Sequence, residues 1–283
     1  MTILYLYYFA TGFHQHEVLQ MREKTPLNRH FSLCAVLLAA LAIAPQAYAA
    51  GAQTDAPEVQ MTPDQAQTAL RLARAAKQAG DLNGAVSLYK AIAGAEPDDT
   101  GIALEYGDAL NDAGYFDGAI GVYSKIAPNS KDGVAALLGS ERAYLRLGEN
   151  EKALSFADQA LALAPASADV LVGRGVVLDA LGRHAEAQAS YRTVIAASPR
   201  NVPARNDLAL SLALTGDFTE AIQIMTPIAR SADATPRERQ NLALIYGLKG
   251  DRDTAKALSS ADLDAADTQA NLRFFDMVRA PAK

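Results

Sequence analysis

The chain has 283 residues, of which 50% are hydrophobic, and its formal net charge is −6 at pH 7. This mildly acidic sequence contains no cluster of lysine or arginine, whereas nucleic-acid binding rests on the neutralisation of phosphates. The composition therefore excludes a typical nucleic-acid-binding protein, and we expect no nucleic-acid partner.

Residues 21–49 have the pattern of an export signal. A basic start at residues 21–29 precedes a mostly apolar, uncharged run at residues 31–44, and Ala47-Tyr48-Ala49 offers a small-x-small cleavage site. The pattern predicts a signal peptide that is cleaved near Ala49-Ala50, which places the mature chain in the periplasm. Because a membrane-spanning helix needs about 20 apolar residues, a retained membrane anchor is the less favoured alternative.

The segments around this signal carry less information. Residues 1–20 have no clear role, and Met21 is an alternative start of translation. Cys34, the only cysteine, lies inside the apolar run rather than at its end, where a lipidated cysteine would stand. Cleavage leaves no cysteine in the mature chain, which excludes disulfides, thiolate metal sites and a cysteine nucleophile. Residues 50–61 are predicted to form a flexible tether.

A regular repeat begins after this tether. Six glycines stand at intervals of 34 residues, and an alanine follows each glycine by five residues. A period of this length is typical of stacked helix–turn–helix units, each of which needs its neighbours to bury its apolar face. The glycines are Gly80, Gly114, Gly148, Gly182, Gly216 and Gly250, and the alanines are Ala85, Ala119, Ala153, Ala187, Ala221 and Ala255.

The repeat predicts six two-helix units over residues 62–262. The glycine falls where the first helix ends, because a residue without Cβ adopts the left-handed conformation with little strain. The alanine lies in the second helix, where a small side chain lets two helices approach closely. Thr62-Pro63 and Thr235-Pro236 predict helix starts with a capping threonine and a proline at the first helical position.

The sequence shows no arrangement of residues for catalysis. His184, the only histidine after the signal, lies two residues after Gly182, where we expect a solvated turn residue whose replacement by alanine changes little. Acidic residues such as Asp98 and Asp99 stand in predicted connectors, where they favour the helix dipole. Phosphate-binding loops, zinc-ligand spacings and Ser/His/Asp motifs are missing, so we predict no enzymatic activity, no metal and no cofactor.

The repeat resembles the tetratricopeptide repeat. That family places leucine and a small residue in helix A, as in Leu208-Ala209 and Leu242-Ala243, glycine in the turn, and alanine in helix B. A large ring and a terminal proline complete its pattern. Ser140-Glu141 departs from the leucine and small-residue pair. The resemblance implies an all-α, right-handed solenoid of about six units. The rings are Tyr89, Tyr123 and Tyr191, and the prolines are Pro97, Pro165 and Pro199.

The resemblance also implies a binding surface, because the A helices of tetratricopeptide arrays line the inner curve of the solenoid. The alternative is that its leucines pack helix on helix, or that the chain's own tail covers them through Phe274 and Phe275. The predicted protein-binding groove consists of Leu138, Arg142, Leu145, Arg146, Val172, Val176, Asp179, Asn206, Leu210, Leu214, Arg237, Leu244 and Leu248.

The carboxyl-terminal part adds a second resemblance. Residues 263–283 are predicted to form a capping helix and tail, since Leu272, Phe275 and Val278 recur at helical spacing. Together with residues 239–251 and Asp262-Leu263-Asp264, this part resembles the TadD family, the tetratricopeptide component of tight-adherence (Flp) pilus assembly.

The second resemblance implies a non-enzymatic scaffold that binds proteins of the pilus secretion machinery, including the outer-membrane secretin. Any membrane association would then arise through partners or through an uncleaved signal. Two alternatives stay open. One is a general periplasmic scaffold in envelope or cytochrome biogenesis, and the other is an enzyme or its regulatory subunit.

Overall fold

The structure is a computed structural model that describes residues 61–279; the predicted signal, the residues before it and most of the tether lie outside the described residues. The described part forms thirteen helices and no strand, and none of its helices is long and apolar enough to cross a membrane. The helices are α1 Pro63–Gln78, α2 Leu82–Ala95, α3 Thr100–Asp112, α4 Phe116–Tyr123, α5 Gly133–Leu147, α6 Asn150–Leu163, α7 Ala168–Ala180, α8 His184–Ala197, α9 Val202–Leu214, α10 Phe218–Ala229, α11 Pro236–Lys249, α12 Arg252–Ser259 and α13 Ala265–Arg279.

The first twelve helices form six pairs, each with an A helix followed by a B helix. Every helix packs against the next one in the chain, and from α3 to α11 the A helices of successive pairs also pack against each other. This arrangement is a helical-repeat solenoid, which confirms the predicted all-α fold. The A helices share one face of the array, which we call the A-helix face.

The six repeat glycines lie where the sequence places them. All six have a positive φ, between 75° and 94°. Gly148, for example, closes α5, and its N–H donates to the carbonyl of Leu145 over 3.1 Å. A side chain at such a position would strain the backbone, so the 34-residue period reflects one turn geometry that is repeated six times.

Close helix packing explains the other repeated residues. Each alanine of the repeat is fully buried, with an exposed fraction of 0%. The three repeat tyrosines are buried as well, and the ring of Tyr123 lies 2.4 Å from where a Cβ of Gly107 would stand and 2.3 Å from that of Gly139. A single ring therefore fills the space between the A helices of two units, which is possible only because glycine stands on both.

The predicted helix starts are confirmed. Thr62 and Thr235 each cap a helix that has proline in its first turn. In both cases the threonine side chain accepts from the backbone of the third helical residue, and the side chain of that residue accepts from the threonine backbone. The repeat prolines Pro97, Pro165 and Pro199 each stand two residues after the end of a B helix.

The last helix, α13, covers the open end of the array by packing against α11 and α12. Its Leu272 and Phe275 are buried, and the Phe275 ring lies 2.4 Å from where a Cβ of Gly247 would stand. Arg239 of α11 secures the approach to α13 by donating to both carboxylate oxygens of Asp262, over 3.0 and 2.9 Å. This helix is the expected carboxyl-terminal cap.

Overpacking at a repeat alanine should destabilise the solenoid. Ala187 is fully buried, so Ala187→Leu inserts three carbon atoms into a filled space and should lower the free energy of unfolding by about 1–3 kcal/mol. Ala196 lies on the same helix and is exposed, so Ala196→Leu serves as the control. Thermal unfolding followed by circular dichroism measures the difference. Equal melting temperatures for both variants would contradict the packing described here.

Candidate functional site

The A-helix face carries a pocket of about 370 Å³ between the third and sixth units. Four A helices contribute to its wall, so the pocket exists only when these units stack. We call it the A-helix pocket. Its lining residues are Leu138, Glu141 and Arg142 from α5, Asp169, Val172, Gly173 and Val176 from α7, Pro203 and Asp207 from α9, Arg237 from α11, and Asn201 just before α9.

Five of the thirteen predicted groove residues line this pocket. Leu138, Val172 and Val176 are partly buried and supply its apolar wall, whereas Arg142 and Arg237 are exposed. These five residues therefore lie together in the A-helix pocket, and their role in protein binding stays a prediction.

Four other predicted groove residues are buried instead. Leu145 and Leu244 are each 1% exposed, and Asp179 and Asn206 are also buried. An A helix packs against its own B helix and against the A helices beside it, so the face that reaches solvent is narrower than the sequence rule assumed. These four side chains belong to the interior and do not line an open groove.

The remaining predicted groove residues pack against other parts of the chain. Leu210, Leu214 and Leu248 pack against the apolar cluster that Leu244 forms with Leu272 and Phe275 of α13. Covering by the chain's own tail, which was the alternative interpretation of this row, is therefore what the structure contains. Arg146 lies with its guanidinium carbon 5.2 Å from the centre of the Phe116 ring.

Glu141 is the most unusual residue of the pocket. Its side chain lines the cavity, yet the residue is only 2% exposed, and its Oε2 atom has no hydrogen-bond partner among residues 61–279. Burial raises the pKa of its carboxyl group from the usual 4.5 to about 8, and the charge of Arg142 opposes this rise. At neutral pH the carboxyl group therefore holds its proton.

The local sequence provides the space for Glu141. In the other five units the position seven residues before the turn glycine carries alanine or glycine, such as Gly107 and Gly175, and in three of them the position nine residues after that glycine carries tyrosine. In the third unit Glu141 occupies the first position and Ala157 the second. Gly173 of α7 completes the space, since a Cβ there would lie 2.8 Å from Oε2 of Glu141.

Asp207 is a second carboxylate with a shifted pKa. The residue as a whole is partly exposed in the pocket, but its carboxyl group is buried. This burial raises the pKa of the carboxyl group from 3.8 to about 6. The side-chain amide of Asn206 donates to its Oδ1 over 2.9 Å and opposes the rise. Asn206 is held in turn by Asn241, whose Nδ2 donates to its Oδ1 over 2.8 Å.

The two arginines of the pocket lie at its exposed edge. Arg142 donates to Oδ1 of Asp108 over 2.9 Å, so its charge is already balanced by the preceding unit. Arg237 stands at the exposed start of α11. Within residues 61–279 no group of three His, Cys, Asp or Glu side chains is arranged to hold a metal ion.

Sequence reasoning missed six of the lining residues. A signal was available for one of them, because Ser140-Glu141 is the point where the repeat pattern fails, and a carboxylate at a packing position marks a changed interior. Nothing in the sequence identified the others. They are Glu141, Asp169, Gly173, Asn201, Pro203 and Asp207.

His184 corrects another expectation. It is the first residue of α8, and its Nδ1 lies 2.7 Å from Oδ1 of Asp179. Tyr191 and Ser211 donate to the same carboxylate over 3.0 and 2.7 Å. Burial raises the pKa of Asp179, and these hydrogen bonds oppose the rise. His184 is therefore part of a buried junction between the fourth and fifth units rather than a solvated turn residue.

We expect His184→Ala to destabilise the protein. The change removes one hydrogen-bond partner of a buried carboxylate, which costs about 1–3 kcal/mol of unfolding free energy. Arg183→Ala is the control, since Arg183 pairs with Glu186 on the exposed surface and such pairs contribute about 0–1 kcal/mol. Urea unfolding of both variants makes the comparison. A His184→Ala midpoint equal to that of the Arg183 variant would show that the junction is dispensable.

Glu141 should make stability depend on pH. Between pH 4.5 and about 8 the unfolded chain has released the Glu141 proton while the folded chain retains it. The contribution of Glu141 to the free energy of unfolding is therefore fully present below pH 4.5 and decreases as pH rises. At pH 7 the decrease is on the order of 3 kcal/mol. Glu141→Gln removes this dependence. The unfolding free energy of the variant, relative to that of the unmodified protein, should therefore increase from pH 5 to pH 8. Parallel pH profiles would contradict the assignment.

Comparisons with known proteins agree with the fold. The sequence profile of the tetratricopeptide repeat matches residues 70–134, 142–187 and 174–234, together more than half of the chain. A tetratricopeptide repeat protein from Thermus thermophilus is 20% identical with a TM-score of 0.57, and the match covers 64% of this chain and 98% of that chain. One from Parabacteroides merdae is 16% identical with a TM-score of 0.52, covering 75% and 98%.

A third solved structure with a similar fold is part of a larger assembly. The APC/C hetero-tetramer Cut9–Hcn1 is 15% identical with a TM-score of 0.53, and the match covers 70% of this chain and 40% of that chain. At these identities the likeness concerns the fold alone. No curated protein matches the sequence.

Proposed function

The chain belongs to the tetratricopeptide repeat family, and we propose that its mature form is a periplasmic scaffold that holds a segment of a pilus-assembly protein on its A-helix face. The proteins of this family are protein-binding scaffolds, and their fold is typically non-enzymatic. The A-helix pocket is the observation that carries the proposal, because it joins four units into one concave and partly apolar surface.

The composition of the pocket suits a peptide. Leu138, Val172 and Val176 form an apolar wall, and charged side chains from all four helices surround it. Binding sites of this kind combine a mostly apolar lining with a few polar groups that fix orientation. The rest of the predicted row, from Leu210 to Leu248, is occupied by packing against α13 and its neighbours. The partner segment is therefore proposed to lie across the third to sixth units.

The solved structures provide one parallel. Cut9–Hcn1 is a complex of two different proteins, and its fold is similar to that of this chain over 70% of the length. A scaffold that holds another protein is the use that we propose here, with a different partner.

The role in tight-adherence pilus assembly rests on the resemblance of residues 239–251 and 262–275 to the TadD family. Arg239 and Asp262 form an ion pair, and Gln240 links Asp262 to Asn271 through hydrogen bonds of 3.3 and 3.2 Å. The residues that carry the resemblance thus build the connection between the last unit and its cap. These residues characterise how the array is joined to its carboxyl-terminal cap. The proposed partner surface is the A-helix pocket.

Export to the periplasm is proposed from the signal at residues 21–49, with a mature chain that begins near Ala50. This location suits a partner in the pilus secretion machinery, such as the outer-membrane secretin.

Site-specific photo-cross-linking in the host tests the proposal. A cross-linking amino acid at Val172 lies in the A-helix pocket, and one at Ala196, which is exposed on α8, provides the control. We expect the Val172 position alone to capture a pilus-assembly protein, with the cross-linked product in the periplasmic or outer-membrane fraction and its amino terminus near Ala50. Capture of an envelope or cytochrome biogenesis protein would replace the pilus role. Equal products from both positions would refute the proposed binding site. A chain that retains residues 31–44 would refute the proposed location.

A further inference from the structure

We propose that the A-helix pocket takes the ammonium group of a lysine side chain on the bound partner segment, with Glu141 as its main counter-charge and Asp207 as the second. This inference rests on the proposed function and specifies the chemistry of the partner. It concerns the third, fourth and fifth units, which supply Glu141, Gly173 and Asp207.

The first support is the state of the Glu141 carboxyl group. The residue is 2% exposed and lines the pocket, yet Oε2 makes no hydrogen bond within the described structure. Leaving a buried polar atom without a partner destabilises the folded state. Gly173 keeps the space beside this oxygen open, because any larger residue would place its Cβ 2.8 Å from it. A donor on a bound ligand would satisfy the oxygen.

The second support is the sign of the charge around Glu141. Asp169 of α7 and Asp207 of α9 line the same pocket, and its cations are Arg142 and Arg237. Arg142, however, is paired with Asp108 across the unit boundary. Because Glu141 is protonated in the unbound protein at neutral pH, the two remaining acids, Asp169 and Asp207, face Arg237 at the start of α11. The pocket favours a positive ligand over a negative one.

The third support is the apolar wall. Leu138, Val172 and Val176 lie beside the acids, where they suit the methylene groups of a lysine side chain. Lysine carries a compact charge on a flexible stem, whereas arginine presents a planar fork that requires parallel acceptors. Acids that belong to three different helices are better matched by the compact charge.

Ligand binding should be linked to proton release. Because burial holds the pKa of Glu141 at about 8, the unbound carboxyl group is protonated at neutral pH. An ammonium group favours its ionised form, so the affinity should rise from pH 6 to pH 8. The charged groups that face it are Arg142 on its own helix, Asp169, Asp207 and Arg237.

Calorimetric titration of the protein purified from its host tests the proposal. The probes are three peptides, acetyl-GLAXALG-amide, in which X is lysine, norleucine or glutamate. At pH 8 the lysine peptide should bind at least about tenfold more tightly than the norleucine peptide, and its affinity should fall at pH 6. Glu141→Gln should remove the preference for lysine, whereas Glu151→Gln, a change at an exposed glutamate outside the pocket, should preserve it.

Gly173→Ala is a second test variant, which keeps the proposal testable if Glu141→Gln does not fold. Alanine favours the helix, so stability should be retained, while the new Cβ displaces the Glu141 carboxyl group and weakens binding of the lysine peptide. Equal affinities for the lysine and norleucine peptides would overturn the proposal, and so would a preference for glutamate. Absence of binding by all three peptides would also overturn it, and the cross-linking at Val172 then decides separately whether the scaffold function stands.

Discussion

The close approach of helices at positions without large side chains is the constraint on which the whole array depends. Each B helix brings a fully buried alanine against its neighbours, and each turn requires a glycine with positive φ. Opposite Tyr123 and Tyr191 of the B helices, glycine stands on the A helix of the same unit. The third unit instead carries the larger residue, Glu141, on its A helix and the smaller one, Ala157, on its B helix at the equivalent positions. A single exchange between these positions changes the chemistry of the interior without changing the fold.

Much of the fold could be predicted because it depends on local and repeated requirements. Gly80 and its five equivalents mark the turns, and Thr62 and Thr235 mark helix starts through hydrogen bonds made within four residues. The A-helix face was harder to predict. Leu145 and Leu244 occupy positions that the repeat pattern assigns to the groove, yet neighbouring helices bury them. Such burial depends on how successive units rotate against each other, which no single unit encodes.

His184 shows the same limit from the opposite direction. Its position two residues after a turn glycine indicated a solvated residue, and only the three-dimensional arrangement joins it to Asp179, which also accepts hydrogen bonds from Tyr191 and Ser211. Ser211 belongs to the next unit and is 32 residues away from Asp179. Long-range hydrogen bonds of this kind are specific to one pair of units, so a search for the repeat averages them away.

The cost of Glu141 links stability to binding. Other units place alanine or glycine at the equivalent position, where Ala209 and Ala243 are fully buried without any polar group to satisfy. A buried carboxyl group whose Oε2 atom has no partner in the described part of the chain weakens the folded state, and helix packing alone gives no reason for it. Ala157 and Gly173 are small residues, and they show that the surroundings accommodate the Glu141 side chain rather than exclude it. A group that destabilises the empty protein and faces a pocket gains a partner when a positive ligand enters, so binding would offset part of its cost to folding.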